Sequence, residues 1–248
     1  MKILVFVNHV PDTETKVKVS ADGKSIDPSG VNFMLNPYDE IAVEEGLKLR
    51  EKFTGEVVVA SLGPDPHKET LRKALAMGCD KAVLLKDASV RDSYAVARAL
   101  ADFAKEYSAE IILLGKQSID YDDAQVGGLI AEMLGIPSIS VVVKLDITDR
   151  NVVAEREVEG GHEIVHTKLP ALIMAQKGLN QPRYPSLKGI MDAKRKPIEE
   201  RVAPAVESKV EVISLKKPAA KSQGKIVGTD ASAVPELVRL LKEEAKVI

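Results

Sequence analysis

From the N-terminus to Leu134, short apolar runs alternate with longer amphipathic stretches, and this alternation restricts the chain to one fold class. Ile3–Val7, Glu56–Leu62, Lys81–Leu85 and Ile111–Leu114 read as buried strands. Pro37–Lys52, His67–Met77, Ser93–Glu106 and Asp122–Leu134 read as helices. Asp92 stands where a helix cap belongs, and Gly78, Gly135 and Pro137 are stop signals. Apolar strands that do not alternate with polar residues are covered on both faces, which requires a parallel sheet with helices on either side. The expected class is therefore α/β, with a doubly wound, mostly parallel sheet. Its ligand crevice lies at the carboxyl ends of the strands.

Beyond Pro137 the pattern shifts. Ser138–Asp146, Val152–Glu159 and Glu163–Leu169 read as strands, and Gly160-Gly161 marks a hairpin between the last two. Ala171–Gln176 returns as an apolar strand, and this part is expected to extend the sheet with antiparallel character. From Asn180 to Lys225 no period is sustained, prolines recur, and basic residues cluster at Lys194-Arg195-Lys196. Such a segment reads as an irregular arm laid on another chain. Val234–Lys246 is an amphipathic helix capped by Ser232 or Asp230. Residues 1–179 are thus expected to form the α/β domain, and 180–248 an arm with a terminal docking helix.

Composition excludes several functions. The charge is balanced, 35 Lys+Arg against 37 Asp+Glu for a net −2, so the chain does not coat nucleic acid. Aromatics are 4% and Trp is absent, which leaves no stacking platform for single strands. One cysteine, Cys79, supports neither an internal disulfide nor a four-thiolate cluster, and it reads as a small buried residue in a reducing compartment. The apolar runs Ile3–Val7 and Ala171–Ala175 fall far short of the ~18 residues of a membrane span, so no membrane insertion is expected. The opening MKILVFVNHV has neither the cleavage site of a signal peptide nor the look of a transit peptide. The cytoplasm is the expected compartment, with the mitochondrial matrix the eukaryotic alternative.

The richest stretch is Gly115–Gly128, GKQSIDYDDAQVGG, which follows a buried strand and opens a helix. In a parallel sheet that position is the ligand edge. Gly115 permits a close turn, and N–H groups at a helix start, backed by the helix dipole, suit a phosphate. Asp122 and Gln125 are candidate partners for ribose or phosphate. The loop matches neither GxxxxGK[ST] nor GxGxxG, and an acidic helix cap is the equal alternative. Asn36 reads first as a helix cap and second as a ligand donor. Ser61-Leu62-Gly63-Pro64 and Phe6-Val7-Asn8 end strands at the same edge. Several loops converging there are a better signal than any one of them.

No catalytic set is visible. His162 and His166 have a metal-ligand spacing but sit in strand character without a third ligand. His9 and His67 are isolated and read as surface or hairpin residues. Ser186 has no nucleophile elbow.

The longer motifs resemble the β subunit of electron transfer flavoproteins along almost the whole chain. VNHVPDT at 7–13, MLNPYDEIAVEEGLKL at 34–49, SLGPD at 61–65 and TLRKALAMGCDKA at 70–82 are similar to successive family blocks. So are LLGKQSIDYDDAQVG at 113–127, EREVEGG at 155–161, KLPAL at 168–172 and LNQPRYPSLKGIMDAKRK at 179–196. The resemblance implies a heterodimer with an α subunit that holds most of the FAD, while the β subunit holds AMP as a structural ligand. It implies acyl-CoA-type dehydrogenases and a membrane oxidoreductase as redox partners, and the arm and terminal helix as a strap around the α subunit. Carried over by position, the AMP site comprises Phe6, Asn36, Leu62 and the loop residues Gly115, Lys116, Gln117, Ser118, Ile119, Asp120, Tyr121, Asp122, Asp123, Ala124, Gln125 and Val126. Leu187 falls on the dehydrogenase anchor, and Glu157 on a glutamate near the α-subunit flavin. In electron-bifurcating members a second FAD occupies the β site and takes electrons from NADH. Lys116 follows the AMP-type pattern, whereas Ala124-Gln125-Val126-Gly127 follows the bifurcating one. Tyr121 departs from both, and a ring there would narrow the room for an isoalloxazine. The LNQPRY block and the C-terminal TDASAVPELVRLLKE favour the AMP type.

Overall fold

A computed structural model describes residues 1–219 and 224–248. The chain runs β1 (Lys2–Phe6), β2 (His9–Pro11), β3 (Phe33–Leu35), α1 (Pro37–Phe53), β4 (Glu56–Gly63), α2 (His67–Met77), β5 (Lys81–Lys86), α3 (Ser93–Tyr107), β6 (Ile111–Gly115) and α4 (Val126–Leu134). It continues through β7 (Ser138–Thr148), β8 (Asn151–Val158), β9 (Gly161–Lys168), β10 (Ala171–Ala175), α5 (Leu187–Arg195), β11 (Ile198–Val202) and α6 (Val234–Glu243). The main sheet has the order β11-β5-β4-β1-β6-β10-β7-β8-β9, and β2-β3 form a small antiparallel pair. The six strands from β11 to β10 are mutually parallel. The β7-β8-β9 meander is antiparallel. This is the expected α/β class.

Each face carries its own core. Ile3, Val5, Val57 and Leu113 pack against α1 and α2. Leu4, Phe6, Ile112 and Met174 pack against α3 and α4. Alternate side chains of one strand point to opposite faces, so a strand buried on both must be apolar throughout. The helices start and stop where local chemistry dictates. Asp92 accepts the Ala95 N–H at the start of α3, and Gly135 in a left-handed conformation ends α4.

Three expectations need correction. The helix after β6 begins at Val126, not Asp122, because Asp122 (φ 54°) and Ala124 (φ 53°) are left-handed and cannot belong to a right-handed helix. The segment after Asn180 is not irregular throughout. It contains α5 and β11, and β11 pairs in parallel with β5 at the sheet edge. Tertiary ties create that order where local periodicity is weak. The Arg72 guanidinium binds the carbonyls of Ala193 and Lys196. Arg183 makes a forked pair with the buried Glu44 and a further pair with Glu51. Finally, β10 is parallel and lies inside the sheet between β6 and β7, because its all-apolar sequence suits burial on both faces.

Candidate functional site at the topological switch

After β1 the chain builds outward through β4 and β5, then returns to place β6 on the other side of β1. The gap between the carboxyl ends of β1 and β6 is the switch point where doubly wound sheets form their crevice. Residues 116–125 follow β6 at this gap, and α4 follows them.

The loop is laced by its own side chains and by the strand ends below it. Gln117 donates through Nε2 to Asp122 at 2.7 Å. Asn8 Nδ2 donates to Ser118 Oγ at 2.8 Å, and Ser118 donates in turn to Asp120. Ser93, the first residue of α3, donates to Asp123. Lys116 Nζ lies 5.1 Å from the centre of the Tyr38 ring. Asn36 occupies the N-cap position of α1 but makes no side-chain cap bond. Its fully buried side chain reaches the loop instead, donating Nδ2 to the Gln117 carbonyl at 2.9 Å and accepting the Ile119 N–H at 3.4 Å. The cap reading of Asn36 is thereby corrected: its amide is spent on the loop backbone rather than on the N–H groups of α1.

Asp39, in the first turn of α1, lies under the same gap. It accepts the Asn8 N–H at 2.8 Å and the Gly115 N–H at 2.7 Å. Burial pushes its carboxyl up to about 7 despite these bonds. Gly115 is obligatory here, since a Cβ would stand 2.5 Å from Tyr38 Cβ and 2.7 Å from Asp39 Oδ1. Asp39 and Ser93 were missed because each supports the loop from another element, whereas Asn8 was visible only as a strand end at the same edge. Only the nearness of NPYDE to the strand end hinted at one of them.

The edge offers backbone N–H groups at the start of α4, beside the carboxylates of Asp120, Asp122 and Asp123, the last facing the Gln125 N–H at 3.5 Å. α4 has no side-chain cap on its first turn. Left-handed Ala124 is followed by right-handed Gln125, an alternation that turns successive N–H groups toward one side. Phe6 and Leu62 also lie at this edge, but Phe6 is buried in the α3/α4 core and Leu62 packs against it. Tyr121 is 70% exposed and does not plug the crevice.

The remaining candidates lie elsewhere. Leu187 opens α5 and is 83% exposed. Glu157 on β8 accepts from Gln176, just past the carboxyl end of β10, at 2.7 Å. His162 and His166 lie on the outer strand β9, and His162 faces Glu155 at 2.9 Å. No cluster of metal-ligating side chains occurs among the described residues. His9 and His67 are not surface residues. His9 is buried against Phe33 and bonded to Thr70 at 2.8 Å. His67 bonds Ser61 at 2.9 Å, and burial pushes its imidazole down to about 4. Cys79 is buried, and its thiol is pushed up to about 12. No described helix is long and apolar enough to cross a membrane.

Fold and loop together define a doubly wound α/β domain with a loop-lined crevice at its topological switch. A family model of the electron transfer flavoprotein domain matches residues 24–206. The chain is 41% identical to the electron transfer flavoprotein subunit beta of Bacillus subtilis, covering 100% of both chains. It is 39% identical to the corresponding subunit of Syntrophomonas wolfei over 100% of this chain and 98% of that one. It is 38% identical to the mitochondrial subunit beta of Arabidopsis thaliana over 100% of both. The chain therefore belongs to the electron transfer flavoprotein family, as a β subunit.

Proposed function

We propose that this subunit pairs with an α subunit and that the pair carries electrons from acyl-CoA-type flavin dehydrogenases to a membrane oxidoreductase. FAD, held mainly by the α subunit, supplies the redox chemistry. This chain holds AMP at the switch point as a structural ligand. The observation that supports the reading is the loop at the switch point, where left-handed Ala124 followed by right-handed Gln125 turns backbone N–H groups toward one side. N–H groups of Ala124 and Val126 take the phosphate, that of Gln125 facing Asp123 at 3.5 Å, while Asn36 and the strand ends at Phe6 and Leu62 frame the rest.

In this reading residues 1–179 carry the nucleotide site and 180–248 the docking part, whose α5 and β11 are tied to the same sheet and its helices. Leu187 supports a dehydrogenase-binding role, because it is an exposed apolar side chain on a helix that also carries Lys188, Lys194 and Arg195. Exposed Leu237 and Val238 on α6, together with Val210 and Ile213 on the arm, support a strap around the α subunit. Glu157 faces the partner's flavin domain. The compartment is the cytoplasm, or the mitochondrial matrix in a eukaryote.

A second reading, an electron-bifurcating subunit with a second FAD oxidising NADH, is favoured by the Ala124-Gln125-Val126-Gly127 sequence and by the outward-standing Tyr121. Chromatography of the ligands released from the purified complex tests both. One FAD with one AMP is expected. Two FAD and no AMP would replace the first reading by the second, and no nucleotide at all would refute both.

A further inference from the structure

Asp39 lies three residues past Asn36, and its side chain enters the gap between β1 and β6 rather than solvent, leaving the residue 5% exposed. Its two oxygens take N–H groups from opposite sides of the switch: Asn8 beyond β1 at 2.8 Å, and Gly115 at the end of β6 at 2.7 Å. Asn8 extends the linkage upward by donating to Ser118 of the loop at 2.8 Å. A closed circuit therefore runs from Gly115 through Asp39 and Asn8 to Ser118. The gap has no spare room, because a Cβ at Gly115 would stand 2.7 Å from Asp39 Oδ1.

Two N–H donors aimed at one carboxyl group call for the ionised form, which accepts at both oxygens. Protonation turns one oxygen into a donor that faces another donor.

We infer that Asp39 is the positioning residue of the nucleotide loop: its carboxylate ties the ends of β1 and β6 together and sets residues 115–120 in the conformation that receives the nucleotide. The inference rests on the nucleotide reading of that loop.

The charged and titratable groups around Asp39 come from three elements. The loop contributes Asp120, which acts against ionisation, and Lys116, whose Nζ is drawn to the Tyr38 ring. On α1, the adjacent Glu40 is paired with Lys73 at 2.9 Å. His9, on β2, is turned to Thr70. With burial holding Asp39 at about 7, the carboxylate form rises from about one-tenth at pH 6 to about nine-tenths at pH 8. If only that form is competent, apparent affinity rises about tenfold over the same interval.

The test titrates AMP into the full chain and its Asp39→Asn variant by calorimetry at pH 6, 7 and 8. It also follows hydrogen–deuterium exchange of residues 115–120 in both proteins without nucleotide. The amide preserves size but faces one N–H with another donor, so the variant mimics the protonated state. It also carries the phosphate's own titration as a baseline. The wild type is expected to gain about tenfold in affinity from pH 6 to pH 8 beyond that baseline. The variant should bind more weakly at pH 8 and exchange faster over 115–120. Equal pH slopes, or equal loop exchange in the two proteins, overturns the inference. If AMP fails to bind the wild type while loop exchange still separates the proteins, the nucleotide reading falls and the positioning role stands. If the variant does not fold, wild-type exchange at pH 6 against pH 8, corrected for intrinsic rates, decides alone. Unchanged loop protection overturns the inference.

Discussion

Gly115→Ala is the substitution that the switch point tolerates least. The added Cβ would stand 2.5 Å from Tyr38 Cβ, 2.7 Å from Asp39 Oδ1 and 2.8 Å from the Tyr38 carbonyl carbon. Ordinary carbon contacts lie at about 3.5–4.0 Å, so roughly an ångström of relief is required. Two of the three obstructing atoms belong to the first turn of α1 at or next to its backbone, which no rotamer change can move. Forcing a group into a packed site costs about 1–3 kcal/mol. Losing the Gly115 N–H bond to a charged carboxylate adds about 1.5–3 kcal/mol. The sum is about 2.5–6 kcal/mol, and at about 2–4 °C per kcal/mol for a chain of this size the Tm should fall by about 5–24 °C. Gly128→Ala is the internal control. Its Cβ meets nothing within 4 Å, and it lies in α4. Alanine there should be neutral or stabilising by up to about 1 kcal/mol. Gly127→Ala should fall between the two, because its Cβ meets the flexible Met174 side chain. Scanning calorimetry of the three variants gives the ranking. A Gly115→Ala protein melting within about 2 °C of wild type, or a Gly128→Ala protein that is the least stable of the set, would refute the packing argument.

Other outcomes follow from the same geometry. Asn36→Ala strips a buried partner from the Gln117 carbonyl and should cost about 1–3 kcal/mol in urea denaturation, with faster hydrogen exchange across the loop as its local signature. His67 is held neutral in the fold, at about 4 against an ordinary 6.5, so the unfolded chain binds the extra proton between these values. Its stabilising contribution is complete above pH 6.5 and is lost as pH falls toward about 4, by at most about 3 kcal/mol. His67→Asn should therefore lose less stability than wild type between pH 7 and pH 5. Asp39 acts with the opposite sign, since its raised value makes the fold the better proton binder below about pH 7. Leu187→Ala, at an 83% exposed position, should leave Tm within about 2 °C and flavin content unchanged while slowing electron transfer from a dehydrogenase. Equal transfer rates would remove Leu187 from the docking surface.

The sheet was legible because its strands are apolar on both faces, a pattern that survives any tertiary context. The α2 boundaries, His67 to Met77, and the Asp92 cap came directly from local signals. What stayed hidden depends on partners distant in sequence. α5 and β11 are ordered by Arg72, Arg183 and the edge of β5, none of which their own residues announce. In the loop, the acidic run Asp120 to Asp123 looked like a helix start, yet Asp122 and Ala124 take left-handed conformations that most sequences reserve for glycine. Asn36 was visible as a notable residue, but its direction was not: a capping bond and a bond to the Gln117 carbonyl need the same side chain. Asp39 was hidden more completely, since a carboxylate in a first helical turn ordinarily needs no further explanation.

The place of β10 bears on how the molecule assembles. β10 lies between β6 and β7 but follows both in the chain, after the whole β7-β8-β9 meander. During synthesis β6 and β7 must wait with open apolar edges until Ala171–Ala175 emerges, and such edges are templates for wrong pairing. A chain that stalls or is cut within the meander leaves that slot unfilled. The same strand supplies the Ala175 carbonyl that accepts the Lys116 N–H at 2.9 Å, so the first step of the loop is pinned by a late-arriving element. The sheet grows outward from β1, but the crevice at its centre is finished from the far end of the domain. An ordered loop is consequently a report that β10 has been seated between β6 and β7.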